Sequence, residues 1–387
     1  MPQVPSVPDD YVDREQALIK HELLKGYLEK LFLIIGSGGV TDLCYVDCFA
    51  GPWDVEDEAL GSTSISLSMG RLARCRNALT KLGKTPRLRA LFVERDDRAY
   101  RRLADLLDKN TPPGIETRAL HGDFLHLRQE ILDWCGQRAF AFFFVDPTGW
   151  SPVTIGHLAP LLARPRSEFL ITFMYDWVNR TASMSEWRGR VADLLGEPLD
   201  LIGLMPAERE RKILGAYRKH LCQAMTRPNE QGHSAYVRVL DPLKERPKYH
   251  LVYLTRHPRG IIEFMEISQG VDVVQRWARA EKRDGLRTSR TGTPDMFGFH
   301  EGGSNETSPH DIEAFWLEQI GTEGRQIGES EFAAMLERTN WFPADFQAAL
   351  ARLIQQRRVI NRGAKKLRPK KPLHWRGRGE FLEPERS

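Results

Sequence analysis

Four carboxylates follow the ends of short apolar runs, which is where ligand-binding acids lie in parallel sheets. Asp47, Glu94 and Asp146 close the runs LCYVD, ALFVE and AFFFVD, and Asp123 follows a further run through one glycine. In an open sheet of parallel strands, ligands bind outside the carboxyl ends of the strands. Glu94 can accept both ribose hydroxyls of an adenosine-containing cofactor. Asp123 can accept from an adenine amino group while Phe124 packs on the ring, so the acids together predict an adenosyl cofactor.

The last of these acids begins the segment DPTGW, which has the parts that methyl transfer to an amino group requires. The amine needs acceptors, an aspartate oxygen and a backbone carbonyl, that orient its lone pair toward the methyl sulfonium. An aromatic ring can stack on the target base. We therefore expect Asp146, Pro147 and Trp150 to form the catalytic segment. The alternative is a strand end and a proline turn, with Trp150 as core packing.

The loop after the first strand supplies Gly51, which lets the backbone approach a ligand, and Ser62 precedes the next helix. The loop lacks the second and third glycines that the pyrophosphate of a nicotinamide dinucleotide needs at a helix N-terminus. The sequence also has no P-loop, no HExxH and no GxSxG. These absences argue against nicotinamide and nucleoside triphosphate chemistry.

Strand and helix patterns alternate along the first half of the chain, which predicts an α/β fold with a doubly wound parallel sheet. The helix at 13–35 has apolar residues at helical spacing. The strand patterns lie at 43–48, 89–94, 115–123, 139–146 and 168–174. The run at 139–146 is almost wholly apolar, as expected of a central strand buried on both faces.

Residues 176–228 read as a helical insertion in this domain. The strands 234–240 and 248–255 follow and are expected to form an antiparallel pair at the sheet edge. We place the domain at 13–282, where its last helix ends, and treat residues 1–12 as an N-terminal tail.

The composition changes after residue 282. Gly, Ser, Thr and Pro dominate 283–307, which predicts a linker. Three short helical patterns and a basic strand–turn–strand at 359–371 follow, the outline of a winged-helix domain over 308–372. Its recognition helix would be 343–357, and 373–387 reads as a basic tail.

The basic end of the chain predicts a polyanionic partner. Residues 352–378 hold eleven basic residues and no acids. Because the whole chain has a net charge of +4, the rest of the chain carries −7. This asymmetry favours a nucleic acid, RNA or DNA. The expected contacts are Arg352, Arg357, Arg358, Arg362, Lys365, Lys366 and Arg368. The alternatives are a solvated, disordered tail and a winged helix that docks a protein.

The chain resembles the three-Cys-motif partner proteins (TcmP) over roughly residues 13–268. The motifs that carry the resemblance are YVDCFAGP, GST after an acidic loop, FVERD, HGDF, FFVDPTGW and KYHLVYLTRHPRG. It implies a Rossmann-like methyltransferase fold. It also implies a partner, an iron–sulfur protein with a three-cysteine, radical-enzyme-like cluster encoded by a neighbouring gene.

The first half is also similar to ribosomal-RNA adenine-N6 methyltransferases of the D-x-H-A-G type. Those enzymes open with a helix bearing Lys-His, matched here by Lys20 and His21, and Phe49 stands where they have a histidine. The resemblance makes Asp146 the active-site acid, and Lys20, His21 and Gly51 would shape the methionine end of the cofactor. With the residues above, the expected contacts to S-adenosylmethionine are Lys20, His21, Asp47, Phe49, Gly51, Ser62, Glu94, Asp123 and Phe124.

These observations predict an S-adenosylmethionine-dependent methyltransferase that acts on a base amino group of RNA or DNA. Thr148 and Gly149 depart from the Asp-Pro-Pro-aromatic motif of the adenine enzymes, which motivates a second hypothesis. In that hypothesis the protein is a non-catalytic partner that holds S-adenosylmethionine or nucleic acid for the cluster-bearing protein. A third hypothesis is a transcription regulator whose Rossmann-like domain senses a ligand.

Several other classes are disfavoured. No apolar run approaches the roughly 18 residues that span a bilayer, so we expect no membrane partner. The N-terminus lacks the pattern of a secretory signal. Five cysteines without a CxxC pair argue against a zinc site or a disulfide framework, and we expect no bound metal. A cytoplasmic location fits these features.

Overall fold

The computed structural model describes residues 7–8, 11–51, 63–291, 308–364, 366 and 368–385. Its helices are α1 (Glu15–Ser37), α2 (Ser64–Lys81), α3 (Asp97–Asn110), α4 (Phe124–Cys135), α5 (Ile155–Leu162), α6 (Tyr175–Thr181), α7 (Arg188–Leu195), α8 (Pro206–Met225), α9 (Pro258–Thr291), α10 (Pro309–Ile320), α11 (Glu329–Thr339) and α12 (Pro343–Gln355). Its strands are β1 (Asp42–Asp47), β2 (Arg87–Glu94), β3 (Ile115–His121), β4 (Phe140–Val145), β5 (Ser167–Phe173), β6 (His233–Leu240), β7 (Pro247–Thr255), β8 (Arg325–Ile327), β9 (Val359–Asn361) and β10 (Glu380–Pro384).

Seven strands form a mixed α/β sheet in the order β3-β2-β1-β4-β5-β7-β6. The first five are parallel, while β7 runs antiparallel to both β5 and β6. The predicted parallel sheet and the antiparallel pair at its edge are therefore confirmed. The order reverses between β1 and β4, which makes the carboxyl ends of these two strands the expected place for a ligand.

Helices cover both faces of this sheet because the central strands are apolar on both sides. All six residues of β4 are buried, and neighbours such as Phe142 and Phe143 belong to different cores. Phe142 packs with Tyr27 of α1 on one face, at a ring-centroid distance of 5.9 Å. Phe143 stacks on Phe169 of β5 on the other, with centroids 4.9 Å apart. Alternate residues of a strand point to opposite faces, so a run without polar positions needs cover on both.

Side chains close the outer edge of the sheet at β6. The backbone N–H of Ser234 donates to Glu337 at 2.7 Å, and that of Tyr236 donates to Asn340 at 3.2 Å. Gln275 of α9 accepts from the Leu240 N–H at 2.9 Å and donates to the Arg238 carbonyl at 3.0 Å. These contacts satisfy backbone groups that a terminal strand leaves unpaired.

The helix α9 extends beyond the boundary expected from the sequence. It was expected to end at 282 with a linker over 283–307, but it continues to Thr291, and 292–307 lie outside the described residues. Ion pairs stabilise this part of the helix, where the sequence lacks apolar residues at helical spacing. Lys282 lies 3.0 Å from Glu15, and Arg283 lies 2.5 Å from Glu245. Contacts with other parts of the chain therefore keep this segment helical, although its composition favours a flexible linker.

The insertion between β5 and β6 is helical, as predicted, and consists of α6, α7 and α8. The longest of these helices, α8, packs on the core at the Phe143 face of the sheet. There the Tyr217 hydroxyl donates to the Val153 carbonyl at 2.8 Å.

The C-terminal unit contains three helices and a three-stranded antiparallel sheet in the order β8-β10-β9. The return strand was expected within 359–371, but it is β10, in the segment that the sequence assigned to a tail. The reason is packing, because Leu373, Trp375 and Leu382 are buried in the apolar core of this unit. The chain therefore packs against that core before it forms the strand that pairs with β8 and β9.

The two units contact each other through α11 and the 368–376 segment. Besides the contacts of Glu337 and Asn340 with β6, Arg376 lies 3.6 Å from Glu263 of α9. Across the described ranges, no helix combines the length and the apolarity that crossing a bilayer demands.

Candidate active site

A lysine–carboxylate pair lies at the reversal point of the sheet. Asp146 follows β4, and its Oδ2 accepts a hydrogen bond from the Nζ of Lys20 on α1. The two side chains are 20% and 19% exposed, so the pair is accessible without being fully solvated. The structure thus brings together two residues that lie 126 positions apart in the sequence. Asp146 thus accepts N–H donors from a side-chain nitrogen at the carboxyl end of β4.

Asp47, at the end of β1, is buried and holds the turn that follows it. Its Oδ1 accepts from the Phe49 N–H at 3.1 Å, and its Oδ2 accepts from the Ser64 hydroxyl at 2.9 Å. Burial raises the pKa of Asp47 to about 6, and the Asp146 charge adds to this while the Lys20 charge opposes it. Its carboxylate therefore organises the first loop and the start of α2, and direct contact with a cofactor stays a prediction.

His21 lies beside the pair as a neutral imidazole. Its Nδ1 is 3.0 Å from the hydroxyl of Tyr11, and both side chains are buried. Burial, followed by the positive charge of Lys20, lowers the pKa of His21 to about 3. The sequence places Tyr11 in an N-terminal tail and so does not predict this contact, which needs the chain to fold back over α1.

Glu94 and Asp123 meet at the ends of β2 and β3. The Gly122 N–H donates to the Glu94 carbonyl at 2.9 Å, with Gly122 at a φ of +143°, which lets the chain turn there. Glu94 is 5% exposed, and its Oε1 accepts from the Asp96 N–H at 2.6 Å. Asp123 caps α4 by accepting from the Leu125 N–H at 2.8 Å. Within the described chain, Glu94 Oε2 accepts no hydrogen bond, which leaves it available to a ligand hydroxyl.

Two phenylalanines link the first and third loops. The rings of Phe49 and Phe124 have centroids 5.0 Å apart and planes inclined at 48°. The Ala50 N–H donates to the Val93 carbonyl at 2.9 Å, which draws the first loop toward β2. Gly51 ends the described part of this loop, and the expected contact at Ser62 lies outside the described residues.

The DPTGW segment turns sharply and presents its tryptophan to the insertion. Gly149, at a φ of +133°, donates its N–H to the carbonyl of buried Pro147 at 2.9 Å. The ring of Trp150 stacks on Trp177 of α6, with centroids 4.6 Å apart and planes 16° from parallel. Trp187 lies edge-on to both rings, at 6.3 Å from Trp150 and 5.2 Å from Trp177. We call Trp150, Trp177 and Trp187 the tryptophan cluster.

All three tryptophans are half-buried, so the cluster is neither a sealed core nor a single exposed ring. The guanidinium of Arg190 lies 4.9 Å from the centroid of the Trp187 ring, at cation–π distance. The sequence pattern predicts Trp150 alone, because Trp177 and Trp187 reach it from an insertion whose path the pattern does not define.

A second buried polar group lies near the carboxyl end of β5. His250 of β7, paired with Phe173 of β5, places its Nε2 2.9 Å from Glu210 of α8, and Arg238 donates to Glu210 at 3.0 Å. Burial lowers the pKa of His250 despite that neighbour. Burial alone favours a raised pKa for Glu210, but the bond from His250 and the Arg238 charge hold it below its usual value. This group was not expected, because its histidine sits inside an apolar strand.

Several predicted nucleic-acid contacts pair with acids of their own unit. Arg352 lies 2.5 Å from Glu313, Arg362 lies 2.7 Å from Glu383, and Arg368 pairs with Glu380. These acids stand outside the acid-free stretch, so linear charge counting does not reveal them. Of the remaining predicted cations, Arg357, Arg358 and Lys366 are exposed, and Lys365 lies outside the described residues.

No protein-family model and no curated protein matches the chain. Among solved structures, a Legionella pneumophila protein of the DUF519 family covers 67% of this chain and 92% of its own, at 10% identity and a TM-score of 0.40. An Escherichia coli protein assigned as a methyltransferase covers 65% and 90%, at 13% identity and a TM-score of 0.28. A Staphylococcus aureus protein assigned as a caffeoyl-CoA O-methyltransferase covers 59% and 82%, at 12% identity and a TM-score of 0.28. With every TM-score below 0.5, these likenesses support no assignment of activity or ligand.

Proposed function

We propose that the protein is an S-adenosylmethionine-dependent methyltransferase that acts on an amino group of a nucleic-acid base. The observation that carries the proposal is the pairing of Asp146 with the Lys20 ammonium at the point where the strand order reverses. A carboxylate that accepts N–H donors from one nitrogen there can accept them from a target amine. Such a contact orients the amine and holds one of its protons.

The donor set at the crevice suits S-adenosylmethionine. Glu94 has a carboxylate oxygen available for ribose hydroxyls, and Asp123 follows the neighbouring strand. Lys20 is a cation suited to the carboxylate of the methionine portion, which carries the opposite charge. Bound there, the cofactor supplies a methyl group activated on a sulfonium. Asp146 and the backbone of Pro147 would orient the acceptor.

The architecture is consistent with the resemblances. A parallel sheet with β7 inserted antiparallel between β5 and β6 agrees with the Rossmann-like methyltransferase fold that TcmP and the adenine-N6 enzymes imply. The C-terminal order of helix, strand, two helices and two strands agrees with a winged-helix domain. Such a domain would hold the nucleic acid while the first unit modifies it.

The tryptophan cluster supports a planar substrate. Trp150 follows Asp146 closely in the chain and is stacked on Trp177, and the rings are partly exposed. A flipped or single-stranded base stacks readily on indole. The cationic guanidinium of Arg190 beside Trp187 favours an anionic strand nearby. A small aliphatic amine has no planar ring that could stack on this surface.

The test supplies S-adenosylmethionine with a labelled methyl group to the protein together with separate pools of cellular RNA and DNA. We expect label in a nucleoside of one pool, and we expect Asp146→Ala to abolish it while the Kd for the cofactor changes less than a few-fold. Asp108→Ala, which removes an exposed carboxylate of α3, is the control. Loss of cofactor binding together with transfer would instead make Asp146 a structural residue.

A second candidate function is a binding partner of a cluster-bearing protein, and exposed apolar side chains on the insertion favour it. Ile202, Met205 and Met184 are 87%, 67% and 47% exposed. Arg209 holds their segments together by bonding the carbonyls of Leu201 and Asn179. Large apolar side chains exposed on one insertion are a feature that protein interfaces use when they form a patch.

The partner function is tested by co-purification with the cysteine-rich product of a neighbouring gene. Ile202→Asp with Met205→Asp should abolish the complex, whereas Leu82→Asp, which changes an exposed apolar residue elsewhere, should not. Full methyl transfer by the protein alone, with no complex formed, would contradict this second function.

A further inference from the structure

A large groove lies between α12 and the segment that leads to β10. It has a volume of about 860 Å³, and its lining includes Glu266 of α9. The helix contributes Pro343, Ala344, Ala348 and Ala351, so most of its face toward the groove is small and apolar, and Gln347 adds one polar side chain. Opposite lie the cations Arg368, Lys370, Lys371 and Arg376, with the imidazole of His374 among them. We call this cleft the C-terminal groove.

The cationic wall is held rigidly against the body of the unit. Gln347 of α12 donates to the Leu373 carbonyl and accepts from its N–H, both at 3.0 Å. The His374 N–H donates to Glu380 at 2.7 Å. Buried Leu373 and Trp375 alternate with exposed His374 and Arg376, so anchoring side chains point inward and charged ones outward. The anchored residues 373–376 therefore present His374 and Arg376 with a reduced entropic cost of ordering on binding.

The groove keeps positive charge that no acid among the described residues neutralises, although two of its cations are paired: Arg368 with Glu380, and Arg376 with Glu263 at 3.6 Å. Lys370 and Lys371 are exposed, and neither forms an ion pair with any part of the chain that the structure describes. Glu266, the acid in the lining, is bound by Lys30 of α1 at 2.9 Å. An anionic occupant therefore meets positive charge with little competition.

The face of α12 argues against reading a duplex. Side chains that read base edges in the major groove are hydrogen-bonding ones such as Arg, Asn and Gln. The helix offers alanines and a proline to the groove, and Gln347 is already bonded to Leu373 in both directions. A single strand held through its phosphates needs no side chains that read base edges.

We propose that the C-terminal groove binds a single-stranded polynucleotide through its phosphates, without reading its sequence. Its apolar floor would take sugars and bases, and its cationic wall would take the phosphate backbone. This differs from the contacts expected from sequence, because Lys370 and Lys371 replace the acid-paired Arg352 and Arg362 as the main binding cations.

The position of the groove suits a strand that also reaches the active site. Lys30, which holds Glu266 at the groove, lies ten residues from Lys20 on the same helix. At 1.5 Å per residue, that spacing is about 15 Å along α1. An extended strand of a few nucleotides spans such a distance, so the groove would anchor one part of the substrate while another part enters near Asp146.

The proposal rests on the proposed function for its substrate class, but its test needs no cofactor. Binding of a labelled 20-nucleotide oligo(U) or oligo(dT) is measured by fluorescence polarisation in the absence of S-adenosylmethionine. A groove that binds nothing and a protein that transfers no methyl group are therefore separate results.

Two groups of variants test the groove. Lys370→Glu with Lys371→Glu should weaken oligonucleotide binding by about tenfold or more and reduce the slope of log K against log[salt] by about 1.4, or 0.7 per lost phosphate contact. Ala348→Trp should also weaken binding about tenfold, because it fills the floor at an exposed position without changing charge. The charge-matched control is Lys84→Glu with Lys109→Glu, at exposed sites beside β2 and on α3, which should change the affinity less than two-fold.

Three results would overturn the proposal. A duplex of the same length that binds as tightly as the single strand would show that the cleft does not select flexible strands. Unchanged affinity in Ala348→Trp would show that binding does not use the groove floor. Competition by an oligo-glutamate peptide at equal charge and equal strength would assign the site to acidic proteins instead.

Discussion

At the scale of single residues, the candidate site is a small set of charges arranged around Lys20. Its ammonium is bonded to Asp146, opposes the raised pKa of Asp47 and helps to keep the His21 ring neutral. The two carboxylates lie at different depths, since Asp47 is fully buried while Asp146 is reachable from solvent. The buried carboxylate shapes the loop, and the exposed one is left for chemistry.

The buried carboxylate makes a prediction about stability. Because folding raises the pKa of Asp47 to about 6 from its ordinary value of 3.8, the unfolded chain loses this proton first as pH rises. Stability contributed here is therefore full below about pH 4 and lost between about pH 4 and 6. Asp47→Asn should be more stable than the parent at pH 7 by up to about 3 kcal/mol, with the difference vanishing near pH 4. Urea unfolding of both proteins from pH 4 to 7 measures it, and a gap that is constant with pH would refute this origin.

The tryptophan cluster makes a prediction about substrate. If Trp150 stacks on the target base, Trp150→Ala should raise KM for the nucleic acid about tenfold or more, since one stacked base contributes about 1–3 kcal/mol. The Kd for S-adenosylmethionine should stay the same. Trp134→Ala is the matched control, because Trp134 is half-buried and packs under Arg89 instead. Equal effects of both variants would make the cluster an ordinary part of the core.

At the scale of elements, helices and loops hold the site by a few specific contacts. The position of α1 beside β4 brings Lys20 to Asp146, and α6 brings Trp177 to Trp150. The strand ends could be predicted from the sequence, because a buried parallel strand is apolar and its following acid is visible. Contacts made by α1, the insertion and Tyr11 could not, since periodicity defines an element and not its neighbour.

The same limit applies to the C-terminal strands. The basic run 359–371 has the pattern of a hairpin, yet burial of Leu373 and Trp375 carries the chain on to β10. Apolar residues spaced through a charged segment were the available signal for this path.

The contact of α11 with β6 predicts how strongly the two units are coupled. Glu337 accepts from the Ser234 N–H at 2.7 Å and lies 3.0 Å from the His233 ring. Glu337→Ala should lower the free energy of unfolding by about 1–3 kcal/mol, because it leaves a backbone donor without its partner. Glu318→Ala breaks an exposed pair with Arg338 and should cost at most about 1 kcal/mol. Chemical denaturation compares them, and equal losses would contradict a special role for the edge contact.

At the scale of the whole molecule, charge is divided between a mildly acidic body and a basic end. If the substrate is a nucleic acid held by that end, KM for it should rise steeply between about 50 and 200 mM salt, as counterion release requires. The Kd for S-adenosylmethionine, a small ligand held in a crevice, should change far less over that range. Parallel titrations of both quantities check this. A KM that is independent of salt would exclude a phosphate-dominated substrate.

The closed edge at β6 has a consequence for how the protein can be divided. Glu337 and Asn340, which satisfy the Ser234 and Tyr236 backbones, both belong to the C-terminal unit. A fragment that ends after α9 would leave those N–H groups of β6 without partners. Exposed edge strands of this kind pair with strands of other chains. Removing residues 308–387 is therefore expected to yield a fragment that self-associates through β6 instead of a stable monomer, which size-exclusion chromatography would show.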